Sequence, residues 1–209
     1  MSRSIRRWSA SLAFGFVAAA ALVEVAQAGL YPRAAPPGSA YVRLFNASSN
    51  PHLSAKIGDK QIPDTPPLDA SAYEFVQPGE QPSTIGNTDQ KVKLDSNRCY
   101  TLAVTPAGVQ KFEQECFSSQ LKSLLSVYNL IDGTHLSLRM SDSGTKVLDG
   151  VAAGAAAHRE VNPAKATLAI FNGDAKLADA KPVQLERGKA FSLFVTGTTD
   201  QPQLIWVVN

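Results

Sequence analysis

The sequence is poor in the side chains that most active sites use. Only three histidines, two cysteines and two tryptophans occur among its 209 residues. No H-E-x-x-H, C-x-x-C or EF-hand ligand pattern is present. Catalysis by a nucleophile needs a base and an orienting group nearby, and no such set stands out. The sequence therefore predicts no catalytic residue, no metal site and no bound cofactor.

Long apolar runs are also scarce, and the only one lies near the start. Arg3, Arg6 and Arg7 precede the run LAFGFVAAAALV (12–23), and the small-x-small signal Ala26-Gln27-Ala28 follows it. This order is typical of a cleaved secretory signal peptide, residues 1–28, because the run is too short for a stable membrane span. An uncleaved anchor is the alternative. We therefore expect a mature chain that begins at Gly29 and works outside the cytoplasm.

The mature chain lacks an excess of charge of either sign. Loss of residues 1–28 removes three arginines and Glu24 from the 20 basic and 18 acidic residues of the chain, which leaves 17 of each. Without a basic excess, bulk electrostatics cannot hold nucleic acid or another polyanion. We therefore expect no nucleic-acid partner.

The chain repeats part of its own sequence. YVRLFN (41–46) returns 83 residues later as LLSVYN (124–129). YTLAVT (100–105) returns 91 residues later as FSLFVT (191–196). Two matches in the same order indicate a duplicated domain. Chance similarity between generic strands is the alternative.

Short stretches with alternating apolar residues, such as 100–104 and 204–208, are separated by turn signals such as Asp132-Gly133. Frequent short strands without an amphipathic helix are typical of β-sandwiches. We therefore predict an all-β protein with two tandem antiparallel β-sandwich domains, residues 29–117 and 122–209, joined by a short linker.

The two cysteines flank a predicted hairpin turn. Cys99 and Cys116 lie on either side of Thr105-Pro106-Ala107-Gly108. A symmetric turn would place the cysteines directly opposite one another, and a bulge at Gly108 would make the pair diagonal. We predict a Cys99–Cys116 disulfide, worth about 3 kcal/mol for a loop of this size. Two free buried thiols are the alternative.

The remaining histidines and aromatic residues have structural interpretations. His52 and His135 occupy equivalent places in the two repeats, which favours a shared packing or turn role over catalysis or metal binding. Trp206 lies in an apolar run near the end of the chain. The aromatic residues at alternating strand positions are expected to fill sandwich interiors rather than to stack on a sugar; they are Phe45, Tyr100, Tyr128, Phe191 and Phe194.

An interaction module is the function class that remains. The low-complexity stretch 150–157 is interpreted as a flexible loop or one helical turn. This stretch and the arm before Tyr41 are the least constrained candidates for contact with partners.

Five segments of the mature chain, taken in order, carry a family resemblance: GLYP (29–32), APPGSAYVRLFNA (35–47), REVNPAK (159–165), VQLERG (183–188) and FSLFVTG (191–197). Together they resemble the alginate biosynthesis protein AlgF family over essentially the whole mature chain. The resemblance implies two tandem β-sandwich domains, a periplasmic location and no catalytic residue.

The resemblance also implies partners. These are periplasmic alginate O-acetyltransferases and the inner-membrane acetyl-transfer complex that supplies them. We therefore expect a non-catalytic adaptor that links the two. The alternative is an alginate-binding carbohydrate module that delivers polymer to the acetylation machinery.

Overall fold

The computed structural model describes residues 35–209. All regular secondary structure in this range is β-strand, which confirms the all-β prediction. Within the same range, no helix is long and apolar enough to cross a membrane. The predicted signal peptide, residues 1–28, lies outside the described residues.

The first half of the described chain forms two four-stranded sheets. Its strands are β1 (Ala40–Asn46), β2 (Leu53–Ile57), β3 (Lys60–Thr65), β4 (Glu74–Val76), β5 (Gly79–Ile85), β6 (Thr88–Leu94), β7 (Arg98–Thr105) and β8 (Gly108–Glu115). One sheet has the strand order β4-β1-β7-β8, and the other has the order β3-β2-β5-β6.

The second half forms two more four-stranded sheets and a small two-stranded one. Its strands are β9 (Ser123–Asn129), β10 (His135–Met140), β11 (Lys146–Ala152), β12 (Ala156–Val161), β13 (Lys165–Ala166), β14 (Leu168–Asn172), β15 (Ala175–Asp179), β16 (Val183–Gln184), β17 (Ala190–Gly197) and β18 (Pro202–Val208). The sheet orders are β12-β9-β17-β18, β11-β10-β14-β15 and β13-β16. The stretch 150–157 is therefore the end of β11, a short turn and the start of β12, so it is neither a loop along its whole length nor a helical turn.

The two halves share one topology, as the sequence repeat predicts. The order β12-β9-β17-β18 reproduces β4-β1-β7-β8, and β11-β10-β14-β15 reproduces β3-β2-β5-β6. Val42 pairs with Tyr100 in the first half, and Leu125 pairs with Phe191 in the second. Leu125 lies 83 residues after Val42, and Phe191 lies 91 residues after Tyr100, which are the two shifts found in the sequence repeat. The structure therefore consists of two tandem β domains of the same design.

Each domain contains one parallel strand pair in otherwise antiparallel sheets. β1 runs parallel to β7, and β9 runs parallel to β17. Parallel strands are usually buried on both faces. The burial pattern agrees, since all seven residues of β9 are buried. These four strands form the centre of the protein.

Three apolar clusters separate four layers of sheet. One cluster lies between the two sheets of the first domain and contains Leu44, Tyr100 and Leu102. A second lies between the two main sheets of the other domain. The third joins β1, β7 and β8 to β9, β17 and β18. The strands of each sheet all come either before or after segment 116–122. The exact domain boundaries at residues 117 and 122 stay a prediction.

Two fully buried asparagines close equivalent ends of the domains. Asn46 follows the apolar part of β1, and its amide donates to the Thr65 carbonyl at 2.9 Å. Asn129 ends β9 in the same way, and its amide donates to the Val151 carbonyl at 2.9 Å. The Asn129 side-chain oxygen also accepts the backbone N–H of Ile131 at 3.0 Å. Both side chains therefore bond to buried backbone groups where the central strands end.

Candidate functional site at the domain interface

Cys99 and Cys116 form a disulfide beside the domain interface, with their Cα atoms 5.1 Å apart. The β7–β8 hairpin pairs Thr105 with Gly108, so Cys99 lies opposite Gln114. Of the two expected registers, the one with Cys99 directly opposite Cys116 is therefore wrong by two residues; the pair is diagonal, as in the alternative, but without a bulge at Gly108. The turn is centred between Pro106 and Ala107, one position earlier than facing cysteines require. The bridge is diagonal and holds the residue that follows β8 against β7.

The histidines at equivalent positions do not pack in the core. His52 precedes β2, His135 begins β10, and both side chains are exposed. The two share a turn contact instead, because each backbone N–H donates to an asparagine side chain, that of Asn50 at 3.1 Å and that of Asn172 at 3.2 Å. Among residues 35–209, no group of three His, Cys, Asp or Glu side chains is arranged to hold a metal ion.

Trp206 is held against the second domain by packing and by a hydrogen bond. Its ring is half-buried and packs against the core of the second domain. Its indole N–H donates to the Lys181 carbonyl at 3.0 Å. This geometry agrees with the expectation that Trp206 has a packing role.

The five strand aromatics are divided between two kinds of core. Tyr100 and Phe191 fill the sandwich interiors as expected. Phe45, Tyr128 and Phe194 are also buried, but they lie in the cluster between the domains. The expectation that all five fill sandwich interiors is therefore wrong for three of them.

The three interface rings form a continuous stack. The centroids of Phe45 and Phe194 lie 3.7 Å apart, and those of Phe194 and Tyr128 lie 4.5 Å apart. Phe112 meets Tyr128 edge-on, with centroids 5.2 Å apart. Buried aromatic pairs of this kind contribute about 0.5–1.5 kcal/mol each beyond their burial. The stack therefore gives the two domains an extensive apolar contact.

A buried arginine lies at the side of this stack. The Arg43 side chain is only 1% exposed. Its Nε donates to Thr101 Oγ1 at 3.0 Å, and its Nη2 donates to Ser192 Oγ at 2.8 Å and to the Tyr128 hydroxyl at 3.3 Å. Its Nη1 donates to Asn209 Oδ1. We call the set of hydrogen-bonded side chains the Arg43 network; it contains Arg43, Thr101, Gln114, Tyr128, Ser192 and Asn209.

Gln114 completes the network from the first domain. The Tyr128 hydroxyl donates to Gln114 Oε1 at 2.9 Å. Gln114 lies opposite Cys99 in the β7–β8 hairpin, so the neighbouring disulfide holds it in place. Among residues 35–209, Arg43 has one acceptor from its own domain, the Thr101 hydroxyl, and three from the second domain.

Tyr73 lies next to the network without joining it. Its ring packs under the Arg43 guanidinium, with 4.8 Å between the ring centroid and Cζ. The Tyr73 hydroxyl is buried and has no hydrogen-bond partner among the described residues. Burial raises the pKa of the Tyr73 phenol, and the positive charge of Arg43 opposes the rise only in part. Tyr73 is therefore neutral at physiological pH.

A cleft of about 360 Å³ opens beside the network where the two domains meet. The first domain lines it with Tyr41, Tyr73, the disulfide and Phe117, and the second domain contributes Gly188 and Ala190. No side chain of Asp, Glu, Lys or Arg is among the described residues that line it. The cleft therefore has a lining of uncharged side chains, two of them tyrosines, and can accommodate an uncharged group.

The Arg43 network is not arranged for nucleophilic catalysis. Ser192 is the hydroxyl nearest to a charged group, but that group is an arginine, which donates hydrogen bonds and cannot take a proton. Activation of a serine needs a neighbouring base. Ser192 is also 2% exposed, so a substrate cannot reach it in this arrangement. What the network can do is attach one domain to the other.

Two surface aspartates have depressed pKa values. The hydrogen bond from Lys146 and a second one from Ser137 lower the pKa of Asp149 to about 2. Lys176 and Ser141 lower the pKa of Asp179 in the same way. Both carboxylates are exposed and paired within their own sheet surface. They are therefore local surface contacts of the second domain and not parts of a site.

Comparison with known proteins places these features in a family context. The family model described as "Alginate O-acetyl transferase AlgF" matches residues 10–192. The alginate biosynthesis protein AlgF of Azotobacter vinelandii is 41% identical over 182 residues, which cover 86% of this chain and 82% of the relative. The protein of the same name from Pseudomonas aeruginosa PAO1 is 37% identical over 202 residues, which cover 96% and 92%.

Two solved structures are also similar. The C-terminal domain of AlgF from P. aeruginosa is 39% identical and covers 43% of this chain and 99% of its own, with a TM-score of 0.39. The N-terminal domain of the same protein is 32% identical and covers 39% of this chain and 99% of its own, with a TM-score of 0.34.

Proposed function

Because this chain belongs to the AlgF family, we propose that it takes part in alginate O-acetylation as a non-catalytic periplasmic adaptor. In this proposal the chain binds an inner-membrane complex that supplies acetyl groups. It also binds the periplasmic acetyltransferases that place these groups on the polymer. Holding the two together raises their effective concentration for each other.

The observation that supports the proposal most is that the buried polar side chains at the centre of the chain bond to one another across the domain interface. Arg43, Ser192 and Tyr128 meet in the middle of the chain, as catalytic groups do, yet they bond to one another across a domain interface. The hydroxyl groups are buried, and the charged group beside them is an arginine rather than a base. These side chains support a role in holding a shape rather than in a reaction.

The proposed compartment has two supports. The first is the order of basic residues, apolar run and small residues in 1–28, which is typical of an export signal. The second is the Cys99–Cys116 disulfide, because disulfides persist in oxidising compartments such as the periplasm.

An adaptor and an enzyme differ in how the reaction rate depends on their concentration. We expect acetylation of mannuronate oligomers by membrane vesicles plus acetyltransferase to rise with added chain and then to fall. The fall follows because excess adaptor occupies the two partners separately. The control omits the vesicles and uses the chain with an activated acetyl ester. Steady acetyl transfer by the chain alone, or a rate that saturates without falling, would contradict the adaptor role.

A second measurement tests the alternative function, in which the chain binds alginate and delivers it to the acetylation machinery. Mannuronate oligomers are titrated into the chain while Trp206 fluorescence and amide chemical shifts are followed. An adaptor that contacts only proteins leaves both signals unchanged. Saturable binding at the oligomer concentrations that support acetylation would favour an alginate-binding module instead.

A further inference from the structure

Arg43 occupies an unusual position for a charged residue. It lies on β1, between Val42 and Leu44, whose side chains enter the core of the first domain. Successive side chains of a strand point to opposite faces, so Arg43 points away from that core and towards the second domain. At 1% exposure it is among the largest fully buried side chains of the described chain.

The charge of Arg43 has no carboxylate side-chain partner. None of the ion pairs among residues 35–209 includes it. Its guanidinium is stabilised by neutral oxygens and by ring faces, with Cζ 4.8 Å from the centroid of Tyr73 and 5.5 Å from that of Phe194. Removing a charge from water costs several kcal/mol, and well-placed hydrogen bonds such as the four that Arg43 makes offset this cost.

The acceptors are spread over separate strands of the second domain. Tyr128 is on β9, Ser192 is on β17, and Asn209 follows β18. Arg43 can meet all of them only when the inner sheets are in one relative position. The apolar stack is less selective, because flat rings keep much of their contact when they slide or rotate. Polar and apolar contacts therefore have different roles in the same interface.

We propose that Arg43 sets the relative orientation of the two domains, so that the chain acts as one body of fixed geometry. Any other docking position would deprive the guanidinium of its three acceptors from the second domain, which is a penalty that rings alone do not impose. The inference goes beyond the adaptor proposal and does not depend on it, since it concerns only contacts within the chain.

Residual dipolar couplings of the purified chain test the orientation directly. In the unchanged protein, one alignment tensor should fit the amides of both domains. Arg43→Met keeps an unbranched apolar stem but removes the charge and the donors, and we expect the shared tensor to be lost. Arg98→Met is the control, because Arg98 is a partly exposed arginine of the same domain whose partners are Glu113 and Glu115. It should leave the shared tensor intact.

A second pair of variants protects the test against misfolding of the first. Ser192→Ala removes one acceptor of Arg43 from the other side of the interface. Ser126→Ala removes a hydroxyl that is equally buried in the same sheet but makes no hydrogen bond to Arg43. We expect Ser192→Ala to disturb the shared tensor and Ser126→Ala to preserve it. If Arg43→Met or Ser192→Ala keeps one tensor with the unchanged orientation, the apolar stack alone sets the geometry and the proposal is wrong.

Discussion

Removal of the Cys99–Cys116 bridge should lower the free energy of unfolding by about 3 kcal/mol. The two residues are 17 apart in the sequence, and the chain-entropy relation gives about 3 kcal/mol for a loop of that length at 25 °C. Cys99 is nearly buried, so alanine at both positions adds only a small loss of packing. With a urea dependence of about 2 kcal/mol per M, the unfolding midpoint should fall by about 1.5 M.

The assay compares four samples: the unchanged chain and the Cys99→Ala/Cys116→Ala double variant, each with and without dithiothreitol. Circular dichroism reports both domains, and Trp206 fluorescence reports the second. Reductant should shift the midpoint of the unchanged chain and should leave that of the double variant unaltered. Because the bridge lies in the first domain, a shift seen by both probes means that the domains unfold together.

Two results would refute this reasoning. An unchanged midpoint in the double variant would mean that the bridge does not restrict the unfolded chain. An equal effect of reductant on both proteins would mean that it acts on something other than the bridge.

Three further changes have expected outcomes. Asn129→Ala removes the side-chain acceptor of the buried Ile131 N–H and one donor to the Val151 carbonyl, so the free energy of unfolding should fall by about 1–3 kcal/mol in urea titrations followed by Trp206 fluorescence. Phe194→Ala removes the middle ring of the stack, and a loss of about 3–5 kcal/mol should appear as faster amide exchange across the interface. Asp149 has a folded pKa of about 2 against an ordinary 3.8, so it stabilises the chain above pH 4, and this contribution disappears as pH falls to 2. In the Asp149→Asn variant, the melting temperature should therefore depend less on pH between pH 4 and pH 2 than in the unchanged chain.

Each of these changes has a matched control. Asn46→Ala removes the equivalent contact in the first domain, so its effect on Trp206 fluorescence should appear only if the domains unfold together. Phe191→Ala lies in a sandwich core, so its effect should concentrate in the second domain rather than at the interface. Lys146→Ala should reproduce most of the acid effect of Asp149→Asn, because Lys146 is the largest cause of the depressed pKa.

Local patterns predicted much of the fold. Alternation in YTLAVT and FSLFVT identifies strands, because side chains of a strand point alternately to two faces. The recurrence of these segments identifies the duplication, and the turn signals around Pro106 place both cysteines on one hairpin. All of this information lies within short stretches of chain. The pairing of Val42 with Tyr100 is different, since parallel strands are joined by long connections that leave no local signal.

The interface was missed because its residues resemble a solvent-facing surface. Arg43, Thr101 and Ser192 are polar and alternate with core residues, which is the usual pattern of an exposed face. A signal was nevertheless present. Phe45 and Phe194 are large rings on the same faces as these polar residues, and two such rings indicate that something covers the face. The face is covered by the other domain of the same chain. Packing between domains leaves no local pattern in the sequence, so this partner could not be predicted.

The two copies of the domain no longer present each other with the same side chains. The counterpart of Arg43 is Ser126, and the counterpart of Phe194 is Ala103. Suppose that another copy of the first domain took the place of the second domain. The interface would then contain alanine instead of the central ring of the stack, and two arginines would be buried close together without water. Two copies of the first domain would therefore fit each other less well than the first domain fits the second.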